Sequence, residues 1–262
     1  NTETVVNDGS LDLDFRVESN GNANMLFVDG GNDSVGIGTA TPLVVNGVTF
    51  TGTHLMLKGA AHTRIVAEGG SSGQVLLTDL GADANTKTKF IFSDGGKLQF
   101  GSTNDAGSNT MHMQIDATGA VTKPLQPAFL VQPASNQDNI PINATTTVVL
   151  GSEVFDIGGN FASNTFTAPV TGKYQLNVKI NFSNVDVTSD YVNVYLATSN
   201  RNVVFTFGSG AGDLDTYQTV SFSTLLDMDA SDTAYVYINL PNQGAAQMDV
   251  GTDSKFSGYL VA

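Results

Sequence analysis

Lys173 to Phe182 alternates apolar and polar residues without a break. Tyr174, Leu176, Val178, Ile180 and Phe182 would share one face of a strand, whereas a helix would scatter them around its circumference. Comparable runs follow at Val192 to Leu196, Val203 to Phe207, Val220 to Leu226, Ala234 to Leu240 and Phe256 to Val261, separated by clusters of Gly, Asn, Asp, Pro and Ser. Strands at this spacing, with no helical pattern between them, predict an all-β sandwich or jelly roll over residues 129–262.

Up to Val121 the runs are shorter and punctuated by glycine. Leu11, Leu13, Phe15 and Val17 mark one strand face, and Met111, Met113 and Ile115 another. There is weak repetition: Phe27-Val28-Asp29-Gly30-Gly31 is echoed by Phe92-Ser93-Asp94-Gly95-Gly96, and Ile115-Asp116-Ala117-Thr118-Gly119-Ala120-Val121 is a looser third copy. Asp-Gly and Thr-Gly between alternating apolar residues predict hairpins. Strands with so few inward residues need apolar surface from elsewhere. Repetition without a local core predicts a fibrous β shaft over residues 1–122, in which three chains share one axial core. Pro124 and Pro127 place a linker at 123–128.

Charged residues make up only 14% of the chain, so Asn, Ser, Thr and Gly must cover its surface. The net charge of −14 argues against a nucleic-acid or anionic-membrane partner and would attract divalent cations. Without cysteine there are no disulfides or thiolate sites. No apolar run is long enough for a membrane-spanning helix, and Asn1 to Asp8 is not a signal peptide. Asn1 is not an initiator methionine, which leads us to expect either a processed chain or a fragment of something longer.

Phe166-Thr167-Ala168-Pro169-Val170-Thr171-Gly172-Lys173-Tyr174 resembles the F-x-A-P-x-x-G-x-Y entry to a central strand in the complement-one-q and tumour-necrosis-factor superfamily. Asp232-Thr233-Ala234-Tyr235-Val236-Tyr237 resembles the strand after that family's Gly-Asp turn, with Ser231 in place of the glycine. Phe256-Ser257-Gly258-Tyr259-Leu260 resembles its terminal F-x-G-x-L. The resemblance implies a ten-stranded jelly-roll knob that trimerises about a three-fold axis. Val35-Gly36-Ile37-Gly38-Thr39-Ala40-Thr41-Pro42, followed by Leu43-Val44-Val45-Asn46-Gly47, is similar to the shaft signature of phage tail fibres and bacterial adhesins.

The candidate chemistry is sparse. His54, His62 and His112 form no metal-ligand spacing; His112 between two methionines is the one candidate axial ligand, although alternation turns it away from them. No nucleophile, base or carboxylate pair stands out, so no catalytic residue is assigned and a glycan-degrading tailspike is a distant alternative. No cofactor is required. Calcium is the candidate metal, with Asp213, Asp215, Asp249 and Asp253, and the Asp227 to Asp232 cluster beside them, on predicted loops; the alternative is that all of these are ordinary solvated turn residues. Tyr191, Tyr195, Tyr235, Tyr237 and Tyr259 are candidate trimer-interface or stacking aromatics. Alternating strand directions would send the loops Ser183 to Asp190, Gly208 to Thr216 and Pro241 to Ser254 away from the shaft. Asn184, Asp186, Asp213, Asp215, Asn242, Gln243 and Asp249 are therefore the candidate receptor contacts. The resulting expectation is a non-enzymatic homotrimeric phage fibre on the virion surface, joined to tail or capsid proteins through a missing N-terminal anchor. Its knob binds a host surface glycan or protein; the alternative is a capsid or virion decoration fibre with a structural role.

Overall fold

The computed structural model describes residues 12–40, 44–45, 48–49, 54–57, 65–185, 191–208, 217–241 and 248–262. Every regular element in them is a strand. The chain divides into two compact units, Asn1–Gly69 and Gly70–Ala262.

In the first unit β1 (Phe15–Ser19), β2 (Asn22–Asp29), β3 (Ser34–Ile37) and β6 (His54–Leu57) form one sheet in the order β1-β2-β3-β6, while β4 (Val44–Val45) and β5 (Val48–Thr49) pair separately. The first repeat is the β2–β3 hairpin, closed where Asp29 faces Ser34. Phe15, Val28, Val35 and Leu55 are in register across the four strands. They make an apolar row, with Phe15 and Leu55 exposed at its two ends.

The second unit opens with an antiparallel sheet of β7 (Ser72–Thr78), β8 (Thr88–Asp94), β9 (Lys97–Thr103), β10 (Asn109–Ile115) and β11 (Val121–Thr122), in the order β11-β10-β9-β8-β7. The second repeat is the tight β8–β9 hairpin, where Gly95 and Gly96 both take the positive φ that a two-residue turn requires. The third is the β10–β11 hairpin, in which Ile115 faces Val121. Asp116 Oδ1 holds that turn by accepting bonds from the Thr118 hydroxyl and from the Thr118 and Ala120 amides. A second apolar row, Val75, Ile91, Phe100 and Met113, crosses this sheet. One expectation fails here. Met111 pairs with Gly101 but Met113 pairs with Phe100, so a β-bulge at His112 puts the two methionines on opposite faces. His112 Nε2 instead lies 3.2 Å from the Ser102 hydroxyl.

The remaining strands form a two-sheet sandwich. They are β12 (Ala128–Gln132), β13 (Gln137–Ile140), β14 (Thr145–Thr147), β15 (Ser152–Ile157), β16 (Phe161–Ala162), β17 (Thr165–Thr167), β18 (Gly172–Ser183), β19 (Val192–Thr198), β20 (Asn202–Phe207), β21 (Tyr217–Met228), β22 (Thr233–Asn239), β23 (Met248–Val250) and β24 (Lys255–Leu260). One sheet has seven strands, in the order β13-β23-β18-β24-β12-β15 with β21 along the other side of β18. The other has six, in the order β16-β17-β22-β19-β20 with β14 on β22. β18 is the long alternating strand, and its five alternate apolar residues are all buried. They meet Val194, Leu196, Val236 and Ile238 of the facing sheet in one core. Each such side chain contributes roughly 1.5–3 kcal/mol by leaving water. The segment before β12 is tied down: the Leu260 amide donates to the Pro127 carbonyl at 3.0 Å, and Gln126 Nε2 donates to the Leu260 carbonyl.

Candidate functional site

The three sequence motifs of the sandwich meet at the end where β18 begins. Phe129 stacks on Phe166 with centroids 4.6 Å apart and meets Phe256 edge-on at 4.9 Å. Tyr174 is buried beneath them, and its hydroxyl donates to the Val170 carbonyl at 2.8 Å. Burial pushes its phenol pKa up, partly offset by that bond. A Cβ on Gly172 would stand 2.6 Å from the Ala262 carbonyl oxygen, and one on Gly258 2.5 Å from Leu176 Cδ2. Both motif glycines are thus required by close approach rather than by a turn. Ser231 has a φ of 78°, which explains why a glycine suits that position.

The candidate receptor residues separate into two sets. Asp186, Asp213, Asp215, Asn242 and Gln243 lie outside the described residues. Asn184 and Asp249 are brought together at the far end of β18: Asn184 Nδ2 donates to Asp249 Oδ2, and Asp249 Oδ1 accepts the Asn139 amide at 2.7 Å. Both oxygens of Asp249 are therefore engaged in holding loops. Asp253 is exposed in the adjoining turn. Asp232 Oδ2 accepts the Asp229 amide and the Asn200 side chain, and Asp227 pairs with Arg201 at 2.7 Å. Among the described residues no group of three or more His, Asp or Glu gathers that could hold a metal.

The five tyrosines do not form one surface. Tyr195 and Tyr237 face each other across β19 and β22, with rings stacked at 4.4 Å and 10°, and Tyr235 leans on Tyr237 at 5.9 Å. This ladder lies on the outward face of the six-stranded sheet, beside the exposed Val204. Burial, then the Tyr195 and Tyr235 hydroxyls, raises the Tyr237 pKa. Tyr191 is half-buried just before β19. Tyr259 lies on the other sheet, level with Gln175 and Leu225. The rings of the ladder satisfy one another, a pairing that depends on register between strands and that alternation alone does not reveal.

The C1q domain family matches residues 128–261, the whole sandwich from β12 to β24. The chain belongs to the C1q domain family. Among solved structures, the globular domain of zebrafish complement 1qA is 16% identical, covering 52% of this chain and 98% of its own, with a TM-score of 0.40. Murine APRIL at pH 8.0 is 13% identical, covering 52% and 99%, with a TM-score of 0.39. A comparison with curated proteins finds no match.

C1q-type domains are generally non-enzymatic binding or structural modules, typically trimeric. The outward face of the seven-stranded sheet is the broad surface of this one. It mixes exposed apolar residues, Leu225 at 54% and Tyr259 at 49% exposure, with the amides and hydroxyls of Asn177, Ser223 and Ser257. It also carries Lys179 and Lys255 side by side, which sequence reading missed because the pairing joins strands some 75 residues apart.

Proposed function

We propose that this chain is a non-enzymatic, homotrimeric fibre protein of a phage-type virion. Its C1q domain serves as the tip that attaches the particle to a host-surface glycan or protein. The observation that carries the reading is the pair of small sheets ahead of the C1q domain, each with an apolar row that its own chain leaves partly uncovered. Apolar rows run across both, and on one chain Phe15, Ile37, Leu55, Val75, Ile91 and Leu98 remain exposed. Uncovered apolar surface of this kind marks an interaction site. Sister copies supply matching surface without any other partner. Membership of a typically trimeric family and the Val35 to Pro42 shaft signature support the same assembly. Three copies at a tip add avidity to weak single-site contacts.

A decoration fibre with a structural role uses the same assembly without a receptor. Two measurements separate the readings. The full chain, applied to host cells and to arrays of their surface glycans, should bind saturably and compete with particle adsorption. Antibody against residues 128–262 should label tail fibres in electron micrographs. Label on the head, with no competition, would reverse the assignment in favour of decoration.

A further inference from the structure

We propose that the outward face of the six-stranded sheet binds an uncharged glycan. The assignment rests on the attachment reading and sharpens it, naming the ligand class and placing the contact on a sheet face rather than on the loops. None of the six strands contains a charged residue. The seven-stranded sheet carries charge in every strand except β12. Charge on a solvent-facing sheet keeps it soluble and deters unwanted pairing. In a chain with 25 acidic and 11 basic residues, six strands without any form a distinct surface. An ionic partner would find no counter-charge on it.

The face is built in lines. Thr167, Thr165, Thr147 and Thr145 follow one another along β17 and β14, level with β22 from Thr233 to Asn239. On the other side of the ladder, Val204 of β20 lies beside Tyr195. Parallel rings 4.4 Å apart on adjacent strands cannot both lie flat, so Tyr195 and Tyr237 stand out from the sheet as a ridge. Tyr195 occupies one face of the Tyr237 ring. The cross-strand partner on the opposite side is Thr147, which is small and exposed. Ridge and threonine line thus form a step, with an aromatic wall beside a row of hydroxyls. A pyranose matches both parts. Its C–H face is apolar, with weakly positive hydrogens that suit the negative face of a ring, and its edge carries hydroxyls that exchange donor and acceptor roles with threonine. The Asn202 amide, 3.5 Å from the Tyr237 hydroxyl, adds a polar group beyond the ridge. Size argues against a second copy of the chain as the occupant. Strand lines about 4.8 Å apart and face positions about 6.8 Å apart give a lattice of roughly 400 Å², about half of what each partner buries in a stable protein interface.

The test titrates the full chain with neutral oligosaccharides of hexose and N-acetylhexosamine, and with sialylated or uronate-containing ones of equal length. The chain has 7 tyrosines and no tryptophan, so tyrosine emission reads the ladder directly. We expect a saturable change with the neutral set, and a Kd that stays constant between roughly 50 and 500 mM salt because no ion pair forms. Thr147→Lys sets a long charged side chain against the free side of Tyr237 without touching the ladder, and should raise Kd about tenfold or more. Tyr237→Ala should act in the same direction, and Lys97→Gln at the β8–β9 turn should leave Kd unchanged. The unfolding transition of each variant shows that it is folded. Undiminished binding in Thr147→Lys, preference for the acidic set, or no response to either set would overturn the site. Adsorption of the same samples to host cells keeps the two ideas apart. Equal adsorption by the wild type and Thr147→Lys strikes this face and leaves attachment standing. A wild type that binds neutral oligosaccharides and no host cell keeps the face and sinks the attachment reading.

Discussion

The C1q domain and the sheets that precede it use the same local rule and end in different states. In β18 every second residue is apolar, and the facing sheet covers all five of them. In β7 to β11 the row Val75, Ile91, Phe100 and Met113 is equally regular, yet Ile91 at its centre remains 39% exposed. Alternation therefore reports which side chains share a face and says nothing of what covers that face. A sandwich carries its own cover in sequence, as β19 and β22 do for β18. The single β7–β11 sheet does not: Phe90 on its other face is buried, but the cover for the Ile91 row must be sought outside the sheet.

The comparison can be broken most forcefully at matched isoleucines. Ile180→Ala should cost about 2–5 kcal/mol of C1q-domain stability in denaturant unfolding, as at a closed core. Ile91→Ala should cost nearly as much in the assembled protein if sister copies cover that face, and well under that if the face is open to water. Ile91→Asp should dissociate the assembly while the C1q domain stays folded, readable by native mass together with the unfolding transition. The next largest effect lies within the C1q motif. Tyr174→Phe leaves the Val170 carbonyl without its donor and should lower stability by about 1–2 kcal/mol. Ser231→Gly should raise it by about 1 kcal/mol, since a side chain no longer has to be held at positive φ.

Much of this architecture was legible in the chain itself. The Lys173 to Phe182 alternation marks β18 because nothing but a strand keeps those five residues together. The Asp-Gly and Thr-Gly signals mark the three repeat hairpins, β2–β3, β8–β9 and β10–β11, because their turns need residues that tolerate positive φ or a short hydrogen-bonding side chain. The His112 bulge was not legible. A bulge adds one residue to one strand only, so it appears in the partner's register and not in the strand's own pattern. The tyrosine ladder and the lysine pair were hidden for a related reason: each depends on which distant strand lies alongside. Of the candidate receptor contacts, Asn184 and Asp249 do meet, because β23 pairs with the end of β18 and sets Asp249 beside Ser183.

The smallest predicted effect concerns the third hairpin. Bonds from the Thr118 hydroxyl, then from the Ala120 and Thr118 amides, hold the Asp116 carboxyl below its usual 3.8. A depressed pKa in the folded state contributes stability that is complete above 3.8 and is lost as pH falls through the lower folded value. Amide exchange protection of the β10–β11 turn should therefore weaken at acidic pH. In Asp116→Asn it should be lower at neutral pH and insensitive to acid over that range.

Native mass spectrometry of the full chain, at micromolar concentration in a neutral volatile buffer, tests the shared cover most directly. A single species of three 27.4 kDa chains is the expected result. One stable 27.4 kDa species, resisting protease throughout residues 72–122, would show the open sheets already sufficient alone and contradict the account.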